Sequence, residues 1–570
     1  MGRPGGRLTV LKELADAFGL QRAGRLDEAE AAYAKVLAKA PDDPIALINA
    51  GVLALARNDL PAALARLTRA VAQAPGNAIA RNNLGFAQLR ASRIDEALKS
   101  FERAIGAKAD YAQAHNNRGI ALVRLGRRAE AIAAFARALE CDPAQVDAAV
   151  NLGDARADAG DAEGAAAAFD AALARAPGHV AARSGRAFAT ALAGDLDASR
   201  AALESIVTDH SDSASAWQTL GAVANWAHDH ERAEAAFARA LALDPACDDA
   251  KFGVASTLLA RGRYREGFAA FERRPLGVFG HDGRYAQYPS WNGNAVPGAL
   301  LLHGEQGYGD VVQFARFIAT ARTRVTRVVV LLDGYLAPLA PLLASCAGVD
   351  RVLMGVQELA GEAIAARASI LSLPHLLGIG VDDLPGAVPY LSAAPEPLAA
   401  WTARLAPLPR PRVGLAWSVL ARDDHGFVTR HKSIPPEALA PFVRSAGAAF
   451  VSLQPGAAGD PKAFGADASR IADHRAGITD FAATAALIAS LDLVVSADTA
   501  VAHVAGALGI PVWLLDRYNS CWRWRLSADT SPWYPTMTIF RQSRFGEWRG
   551  VVDRVAARLP AWWNERQRAI

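Results

Sequence analysis

At 570 residues the chain is too long for one hydrophobic core, which indicates roughly two to four domains. Its apolar fraction of 52% and charged fraction of 21% are those of a folded protein, and its net charge is only +3. Acids and bases alternate along the chain, which argues against a nucleic-acid-binding surface, and four widely separated cysteines argue against a disulfide framework or a zinc site.

The N-terminal segment and the longest apolar stretch bear on the expected location. The N-terminus, MGRPGGRLTVLKELADAFG, passes directly into an amphipathic helix, so we expect no signal peptide. The apolar stretch around residues 481–515 is interrupted by charged residues and a proline, which predicts a buried strand, helix and strand with no membrane span. We therefore expect a cytoplasmic protein.

Three residue types recur every 34 positions through the first half of the chain. A small residue stands at Gly51, Gly85, Gly119, Gly153, Ala187 and Gly221. A large apolar residue stands at Phe101, Phe135, Phe169, Leu203, Phe237 and Phe271, and a proline at Pro143, Pro177 and Pro245. The pattern predicts helix pairs in which the small residue lets two helices approach, the large residue fills the gap between pairs, and proline ends each unit.

The segment WQTLGAVANWAHDHERAEAAFARALALDP, residues 217–245, resembles the tetratricopeptide repeat throughout. We count about seven such repeats and a degenerate eighth, at roughly 248–276, which would cap the stack. Residues 1–276 are therefore expected to form an all-α solenoid. The resemblance implies a curved groove of the kind that usually takes peptides, and self-association remains open.

An asparagine ladder follows the same period. Its members precede the first four glycines by two residues and are Asn49, Asn83, Asn117 and Asn151. Each amide offers both a donor and an acceptor, so the row could bind the backbone of an extended peptide whatever its sequence. Alternatively, asparagine is common at this slot and bonds within the repeat.

The second half changes pattern. Residues 277–297 read as a linker rich in glycine and proline, and short apolar runs then alternate with helical periods. Helices are predicted over 310–322 and 335–345, and strands are predicted at ALLLH, RVVVLL, RVLM, VGLAWS, AFVSLQ, LDLVVSA and PVWLLD. This alternation predicts two parallel-sheet α/β domains, over 298–395 and 410–545, followed by a C-terminal helix over 546–570.

Two segments carry a resemblance to a known family. GEQGYGD with VVQFARF, and SADTAVAHVAGALGIPVWLL further on, are similar to the heptosyltransferase-like glycosyltransferases over roughly 298–560. The whole layout resembles the tetratricopeptide-bearing protein glycosyltransferases, among them the O-linked N-acetylglucosamine transferases and the bacterial flagellin glycosyltransferases. The resemblance implies the glycosyltransferase-B fold, in which two Rossmann-like domains face a cleft.

The loop GEQGYGD raises the question of what its glycines hold. Its spacing is not Gly-x-Gly-x-x-Gly and no Gly-Lys-Ser/Thr follows, although Asp333 lies near the position that a dinucleotide site requires. Asp310 begins the predicted helix, where a carboxylate can cap it. The resemblance implies instead that Asp310 is the general base. On the acceptor side the loop contributes Gly304, Gln306, Gly307 and Gly309.

The donor phosphates are expected in the other half. After a strand, Asp498 and Thr499 precede a helix, and the N–H groups of Thr499, Ala500 and Val501 would point at an anion. The resemblance implies that this Asp-Thr-x-x-x-His pattern, ending at His503, is the donor-diphosphate site. In the structural alternative Asp498 is a cap and His503 belongs to the core.

Further candidates surround this pattern. Lys432 matches the lysine of the family's Lys-x-Trp-Pro element, in which an isoleucine here replaces the tryptophan, and it could neutralise the leaving phosphate together with Arg430. An exposed loop is the alternative for either cation. Gln454 could touch the nucleoside. Trp524 and Trp533, in a segment like the family's aromatic one, could stack on sugar or base or pack in the core.

These parts predict a glycosyltransferase that moves a sugar from a nucleotide-activated donor to a protein held by the repeats. On the resemblance, flagellin is the expected acceptor, through serine or threonine. Direct single displacement predicts inversion at the sugar carbon, and we expect no cofactor. No metal is expected either, because the one Asp-x-Asp, from Asp195 to Asp197, lies in a repeat. Two alternatives stay open, an envelope-glycan transferase whose repeats dock a partner and a non-catalytic adaptor.

Overall fold

The computed structural model describes residues 4–274, 285–380, 382–384, 387–419, 432–444, 447–525 and 528–569. The chain divides into two compact units, the first ending at Ala193 and the second beginning at Gly194. The second unit contains the last repeats and both α/β halves. The candidate site therefore lies within a single unit.

The first unit consists of helices joined by tight turns. They are α1 (Pro4–Arg22), α2 (Leu26–Lys39), α3 (Pro44–Ala56), α4 (Leu60–Gln73), α5 (Ala78–Arg90), α6 (Ile94–Ala107), α7 (Ala112–Arg124), α8 (Arg128–Cys141), α9 (Val146–Asp158), α10 (Ala162–Arg175) and α11 (Val180–Leu192). The second unit opens with α12 (Leu196–Asp209), α13 (Ala214–Trp226), α14 (His230–Leu243), α15 (Asp248–Ala260) and α16 (Tyr264–Phe271). This series confirms the predicted repeats, and the shorter α16 belongs to the degenerate eighth.

The 34-residue period has a direct physical cause in the helix pairs. A β-carbon built on Gly119 would lie 2.4 Å from the ring of Phe135, and one built on Gly85 would lie 2.6 Å from the ring of Phe101. Both rings are fully buried. The glycine of the first helix thus makes room for the aromatic ring of the second, as the sequence pattern predicts.

The first α/β half is built on a parallel sheet. Its strands are β1 (Val296–His303), β2 (Val325–Leu331), β3 (Arg351–Leu353) and β4 (Ile364–Ser369), in the order β3-β2-β1-β4. Its helices are α17 (Tyr308–Ala315), α18 (Ile318–Arg322), α19 (Ala340–Leu343) and α20 (Leu373–Leu376). Sequence analysis missed β4, whose alternating burial lacks the continuous apolar run of its neighbours.

The second α/β half contains a larger parallel sheet in the order β10-β9-β8-β5-β6-β7. Its strands are β5 (Arg412–Ala416), β6 (Ala449–Ser452), β7 (Ile471–Ala472), β8 (Leu493–Ala497), β9 (Val512–Asp516) and β10 (Met537–Arg541). Its helices are α21 (Pro395–Leu405), α22 (Pro436–Arg444), α23 (Phe481–Ala489), α24 (Ala500–Ala507) and α25 (Arg549–Ala569). Solenoid helices followed by two parallel-sheet halves confirm the predicted fold class.

Two predicted helices differ from the structure. The helix expected over 310–322 is interrupted at Arg316 and Phe317, so that α17 and α18 are separate. The helix expected over 335–345 is a 3-10 turn, Gly334–Leu339, followed by the short α19. Pro338 lies inside that turn and cannot donate an α-helical hydrogen bond, which accounts for the tighter start.

Gly119 and Gly19 offer a matched test of the helix-pair packing. Both are helical, and alanine at either position gains about 1 kcal/mol of helix propensity. The new β-carbon has nothing within 4 Å in Gly19→Ala but meets the Phe135 ring at 2.4 Å in Gly119→Ala. We expect hydrogen exchange to slow in α1 of G19A and to speed up across α7 and α8 of G119A. In G119A the free energy of local unfolding should fall by about 1–2 kcal/mol. Slower exchange in both variants would contradict this packing.

Candidate active site

The candidate site lies at the carboxyl edge of the larger sheet, where its topology reverses. From β5 the chain leads to β6 on one side, whereas β8 leads to β9 on the other, and β5 and β8 are neighbours. Asp498 follows β8 and Trp417 follows β5. In open α/β sheets ligands bind in the crevice at such a switch point. Topology alone therefore draws attention to Asp498 and its neighbours.

A buried ion pair occupies this crevice. The Lys432 ammonium nitrogen lies 2.6 Å from Oδ2 of Asp498, whose side chain is only 7% exposed. Burial alone would raise the pKa of Asp498, but Lys432, followed by His503 and Arg517, holds it well below its usual range. Asp498 is therefore charged at neutral pH and fixes the position of Lys432.

The helix that follows, α24, begins without a side-chain cap. Thr499 is its N-cap residue, but its hydroxyl lies 3.0 Å from that of Ser496 and makes no capping hydrogen bond. The N–H groups of Ala500 and Val501 have no acceptor within the helix because they belong to its first turn. This arrangement leaves donors at the helix start beside the ion pair.

His503 lies one turn further into α24 and is 95% buried, with 5% exposure. Its Nδ1 is 2.9 Å from the Tyr534 hydroxyl oxygen, and its ring is 5.3 Å from that of Trp524, centroid to centroid. Burial lowers the pKa of His503 to about 4, although Asp498 opposes the shift. The imidazole is therefore neutral at physiological pH.

The starts of α17 and α24 meet at this point. A β-carbon built on Gly309 would lie 2.7 Å from Cδ2 and 3.3 Å from Nε2 of His503, and 3.6 Å from Cα of Ala500. Gly309 belongs to the first turn of α17 and directly precedes Asp310. The contact thus brings together the predicted acceptor-side loop and the predicted donor helix, which lie almost two hundred residues apart in the sequence.

Asp310 makes two contacts, one for each carboxylate oxygen. Oδ2 accepts a hydrogen bond of 2.9 Å from the Gly307 N–H, so Asp310 does cap α17. Oδ1 accepts a hydrogen bond from Nη2 of Arg523 and forms an ion pair with it. The carboxylate remains partly accessible, with 23% of the side chain exposed.

Arg523 is the residue of this site that sequence analysis missed. Its Nε donates to Gln313, and its guanidinium lies over the Trp522 ring at 4.5 Å. Burial lowers the pKa of Arg523, but Cys521, Asp310 and Asp498 together raise it above its usual value, so it stays charged. An arginine between two tryptophans was its only signal in the sequence, since Asp310 is 213 residues away.

The other residues of the acceptor-side loop have structural contacts. Gly304 is closely packed, since a β-carbon built on it would lie 2.7 Å from side-chain atoms of Leu332 and Leu336. Gln306 adopts a positive φ of 58°, and its carbonyl accepts a hydrogen bond from the Tyr335 hydroxyl. Approach of an acceptor or donor to this backbone stays a prediction.

Glu305, in the same loop, is a second residue that sequence analysis missed. It is 3% exposed and accepts hydrogen bonds from Arg274 and Ser369. Arg274 follows α16, and Ser369 ends β4. The loop is thus held by the last repeat on one side and by the neighbouring strand on the other.

The remaining donor-side candidates are Gln454 and Arg430. Gln454 is buried, and its Oε1 accepts hydrogen bonds from the N–H groups of Trp417 at 2.7 Å and Ser418 at 2.9 Å. Its amide therefore holds the loop after β5, and contact with a nucleoside stays a prediction. Ile434 fills a buried position beside Trp417, to whose carbonyl its N–H donates at 2.7 Å. Arg430 lies outside the described residues.

The two tryptophans of the aromatic segment are buried in the core. Trp524 is 0% and Trp533 1% exposed. Trp533 stacks on Tyr264 of the last repeat at 5.6 Å with an interplanar angle of 27°. The structure thus supports core packing, the second of the two predicted roles, for both side chains.

The asparagine ladder links neighbouring repeats. Nδ2 of Asn117 donates to Oδ1 of Asn82, and Nδ2 of Asn151 donates to Oδ1 of Asn116, each at 2.9 Å. These bonds join first helices of successive pairs, rather than residues of a single repeat. The amides are thus partly engaged, Asn49 and Asn83 are half-buried, and peptide binding by the ladder stays a prediction.

Known protein families match segments in both halves of the chain. Tetratricopeptide repeat models match residues 19–78, 50–107, 82–146, 156–223 and 227–275. The model of glycosyltransferase family 9 (heptosyltransferase) matches residues 466–550, which include Asp498, Thr499 and His503. The chain carries tetratricopeptide repeats and a glycosyltransferase family 9 domain. Asp310 and Lys432 lie outside the family 9 match.

A curated relative and two solved structures are similar to parts of the chain. Protein FlbA of Caulobacter vibrioides is 30% identical over 346 residues, and the match spans 54% of this chain and only 54% of that protein. A tetratricopeptide repeat protein from Parabacteroides merdae is 19% identical over 44% of this chain and 99% of its own, with a TM-score of 0.38. PilF of Pseudomonas aeruginosa is 18% identical over 36% of this chain and 95% of its own, with a TM-score of 0.32.

The described residues contain neither a metal-binding cluster nor a helix that could span a membrane. No three side chains of histidine, cysteine, aspartate or glutamate are grouped there so as to hold a metal ion. No helix within the described ranges combines the length and apolar character needed to cross a bilayer. A metal-free reaction stays a prediction.

The buried His503 gives a pH prediction that can be measured at one residue. Because its pKa is about 4 in the folded chain, against 6.5 as the usual value, the unfolded chain binds more protons between these pH values. The contribution of His503 to the free energy of unfolding is therefore intact above pH 6.5 and is lost as the pH falls through this window. We expect NMR of the labelled imidazole, assigned with His503→Gln, to show a neutral ring at pH 5.5.

A midpoint near 6.5 for that ring would contradict the burial of His503. The measurement has to be site-specific because Asp516 acts in the opposite sense. Burial raises its pKa to about 6, so the folded chain binds the extra proton between pH 3.8 and 6. A global unfolding curve would therefore sum these opposing contributions with those of other shifted groups such as Asp498.

Proposed function

We propose that this protein transfers a sugar from a nucleotide-activated donor to a protein acceptor, with inversion at the sugar carbon and without a metal ion or cofactor. The observation that carries the proposal is the contact between Gly309 and α24, where a β-carbon on Gly309 would lie 3.6 Å from Ala500. A carboxylate that could accept a proton thus lies beside a helix start that could bind phosphate. Family 9 similarity over residues 466–550 supports the same chemistry.

The donor diphosphate would bind at the start of α24. The N–H groups of Ala500 and Val501, which the helix does not use, would donate to phosphate oxygens. Lys432 would neutralise charge on the departing phosphate, and Asp498 keeps its ammonium in place. The neutral His503 adds no charge and shapes the wall toward Gly309.

The acceptor hydroxyl would lose its proton to Asp310. The hydroxyl oxygen of the acceptor would form a bond to the anomeric carbon while the bond from that carbon to the phosphate oxygen breaks, which inverts the configuration at this carbon. Each carboxylate oxygen of Asp310 can accept more than one hydrogen bond, so the contacts with Gly307 and Arg523 leave capacity for the hydroxyl. Arg523 orients the carboxylate and adds positive charge next to the leaving group.

The repeats would hold the acceptor polypeptide. Tetratricopeptide repeats present extended concave surfaces for binding, and the family match covers most of residues 19–275. On the resemblance in layout we propose a serine or threonine of flagellin as acceptor and the cytoplasm as the place of reaction. The asparagines 49 and 83, whose side chains are half-buried, would contribute contacts to the peptide backbone.

Asp310→Asn tests the proton acceptor. We expect transfer, followed as nucleotide release in the presence of acceptor protein, to fall by about 10²–10⁴-fold with donor binding retained. Because the change also weakens a helix cap, Asp229→Asn is the matched control, since Asp229 caps α14 through the Arg232 N–H. Transfer at the wild-type rate by D310N, or loss of donor binding, would refute the assigned role.

Removal of residues 1–193 tests what the first unit does. The remaining chain keeps the second compact unit, including α12 to α16 and both sheets. We expect this truncated protein to bind nucleotide sugar and to hydrolyse it as the full chain does. Transfer of the sugar to a protein acceptor should be lost. Circular dichroism checks that the fragment is folded, and undiminished transfer would show that the acceptor binds elsewhere.

A further inference from the structure

A pocket lies beside the Lys432 segment, at the carboxyl ends of β9 and β10. Its volume is about 180 Å³, and Ser433, Arg517, Asn519, Gln542 and Trp548 are among the residues that line it. Arg517 follows β9 and Gln542 follows β10, whereas Asp498 follows β8. The pocket is smaller than the roughly 300–1,000 Å³ of a typical cofactor-sized site, so it suits one compact group.

Three side chains around this pocket have enclosed polar atoms without a hydrogen-bond partner among the described residues. They are Nε and Nη1 of Arg517, Nε2 of Gln542 and Oδ1 of Asn519. Asn519 is only 5% exposed and Gln542 only 6%. Buried polar atoms are nearly always satisfied, so a group of unsatisfied ones around a cavity indicates a ligand that satisfies them.

The direction of the Gln542 amide is fixed by its other contacts. Its Oε1 accepts hydrogen bonds from the N–H groups of Tyr518 at 3.0 Å and Gly546 at 3.2 Å. The unsatisfied atom is therefore a donor, like the two nitrogens of Arg517. Among the unsatisfied atoms of the pocket, three donor nitrogens stand against one acceptor, Oδ1 of Asn519, which favours an oxyanion.

Arg517 is not committed to a nearby carboxylate. It lowers the pKa of Asp498 and of Asp516 through the charge interaction. No carboxylate of the described ranges forms an ion pair with it within 4.0 Å, although Arg541 lies 3.3 Å from Asp516. No hydrogen bond or ion pair to a described residue engages its nitrogens, so Nε and Nη2, which share one edge of the guanidinium, keep the fork of two donors that carboxylate and phosphate groups match.

We infer that this pocket is a subsite for a compact oxyanion, a carboxylate or phosphate group, that the Arg517 fork and the Gln542 amide bind and to which Asn519 offers an acceptor for an attached hydroxyl. Arg517 and Asn519 follow β9 and Gln542 follows β10, whereas α24 follows β8. The subsite stands independently of the proposed sugar transfer, because the oxyanion can be a free anion or a group carried by a substrate.

Phosphorus NMR of inorganic phosphate titrated with the full-length protein tests the subsite. We expect saturable binding that acetate competes for, since each anion presents a pair of oxygens that a guanidinium can bind. Arg517→Gln removes the fork, and Asn519→Asp places a like charge in the pocket without changing its shape. Each should weaken phosphate binding about tenfold or more, whereas Arg544→Gln, an equal charge change on an exposed arginine, should not.

A second arm adds a saturating nucleoside diphosphate. Undiminished phosphate binding in its presence supports a separate subsite occupied by a free anion or by a group outside the nucleotide. Loss of phosphate binding when the nucleotide is bound would overturn the separate subsite and assign the anion to the donor diphosphate. Absence of phosphate and acetate binding to the wild-type protein, or unchanged binding in both folded variants, would also overturn the inference.

Discussion

The close approach of Gly309 to His503 is the constraint on which the rest of the site depends. Any side chain at 309 would collide with the imidazole, since even a β-carbon would lie 2.7 Å from it. The imidazole has no other place to go, because Tyr534 binds its Nδ1 and Trp524 packs against its ring. Glycine at 309 is therefore needed for this packing. As a consequence Asp310, which follows Gly309, and Thr499, which precedes Ala500, lie close to each other between the two sheets.

Two helix starts that abut would repel each other, because each N-terminus carries a partial positive charge of about half a unit. The carboxylates of Asp310 and Asp498 offset this, and each is in turn paired with a cation, Arg523 and Lys432. Formal charges therefore balance, while the helix ends leave an excess of positive potential for an anionic ligand. Loss of either cation would leave a poorly solvated carboxylate, a change that commonly destabilises by about 3–5 kcal/mol for a buried pair. Each cation is thus needed to keep the carboxylate beside it partnered.

How far the sequence predicts this protein depends on the range of the interactions involved. The repeats could be predicted because the glycine and the ring that it accommodates recur with a fixed period, as with Gly85 and Phe101. The order of strand, Asp498, Thr499 and helix could be predicted because it is local. Arg523 could not, since its partner is 213 residues away and only the packed aromatic segment brings them together. The contacts of Gln454 could not be predicted for a related reason: an amide after a strand can serve a ligand or the backbone, and only the fold shows that it holds Trp417 and Ser418.

The aromatic segment connects the last repeat to the site. Tyr264 of α16 stacks on Trp533, and Phe268 packs edge-on against Trp522 at 6.1 Å. Trp533 donates its indole N–H to the carbonyl of Arg523 at 3.0 Å, and Trp522 lies beneath the guanidinium of that residue. A dense core transmits small displacements because it has no spare volume to absorb them. Arg523, which pairs with the carboxylate of Asp310, is thus packed into the same core as α16. The Arg274–Glu305 pair holds the loop that precedes α17, so the eighth repeat constrains this part of the candidate site from two directions.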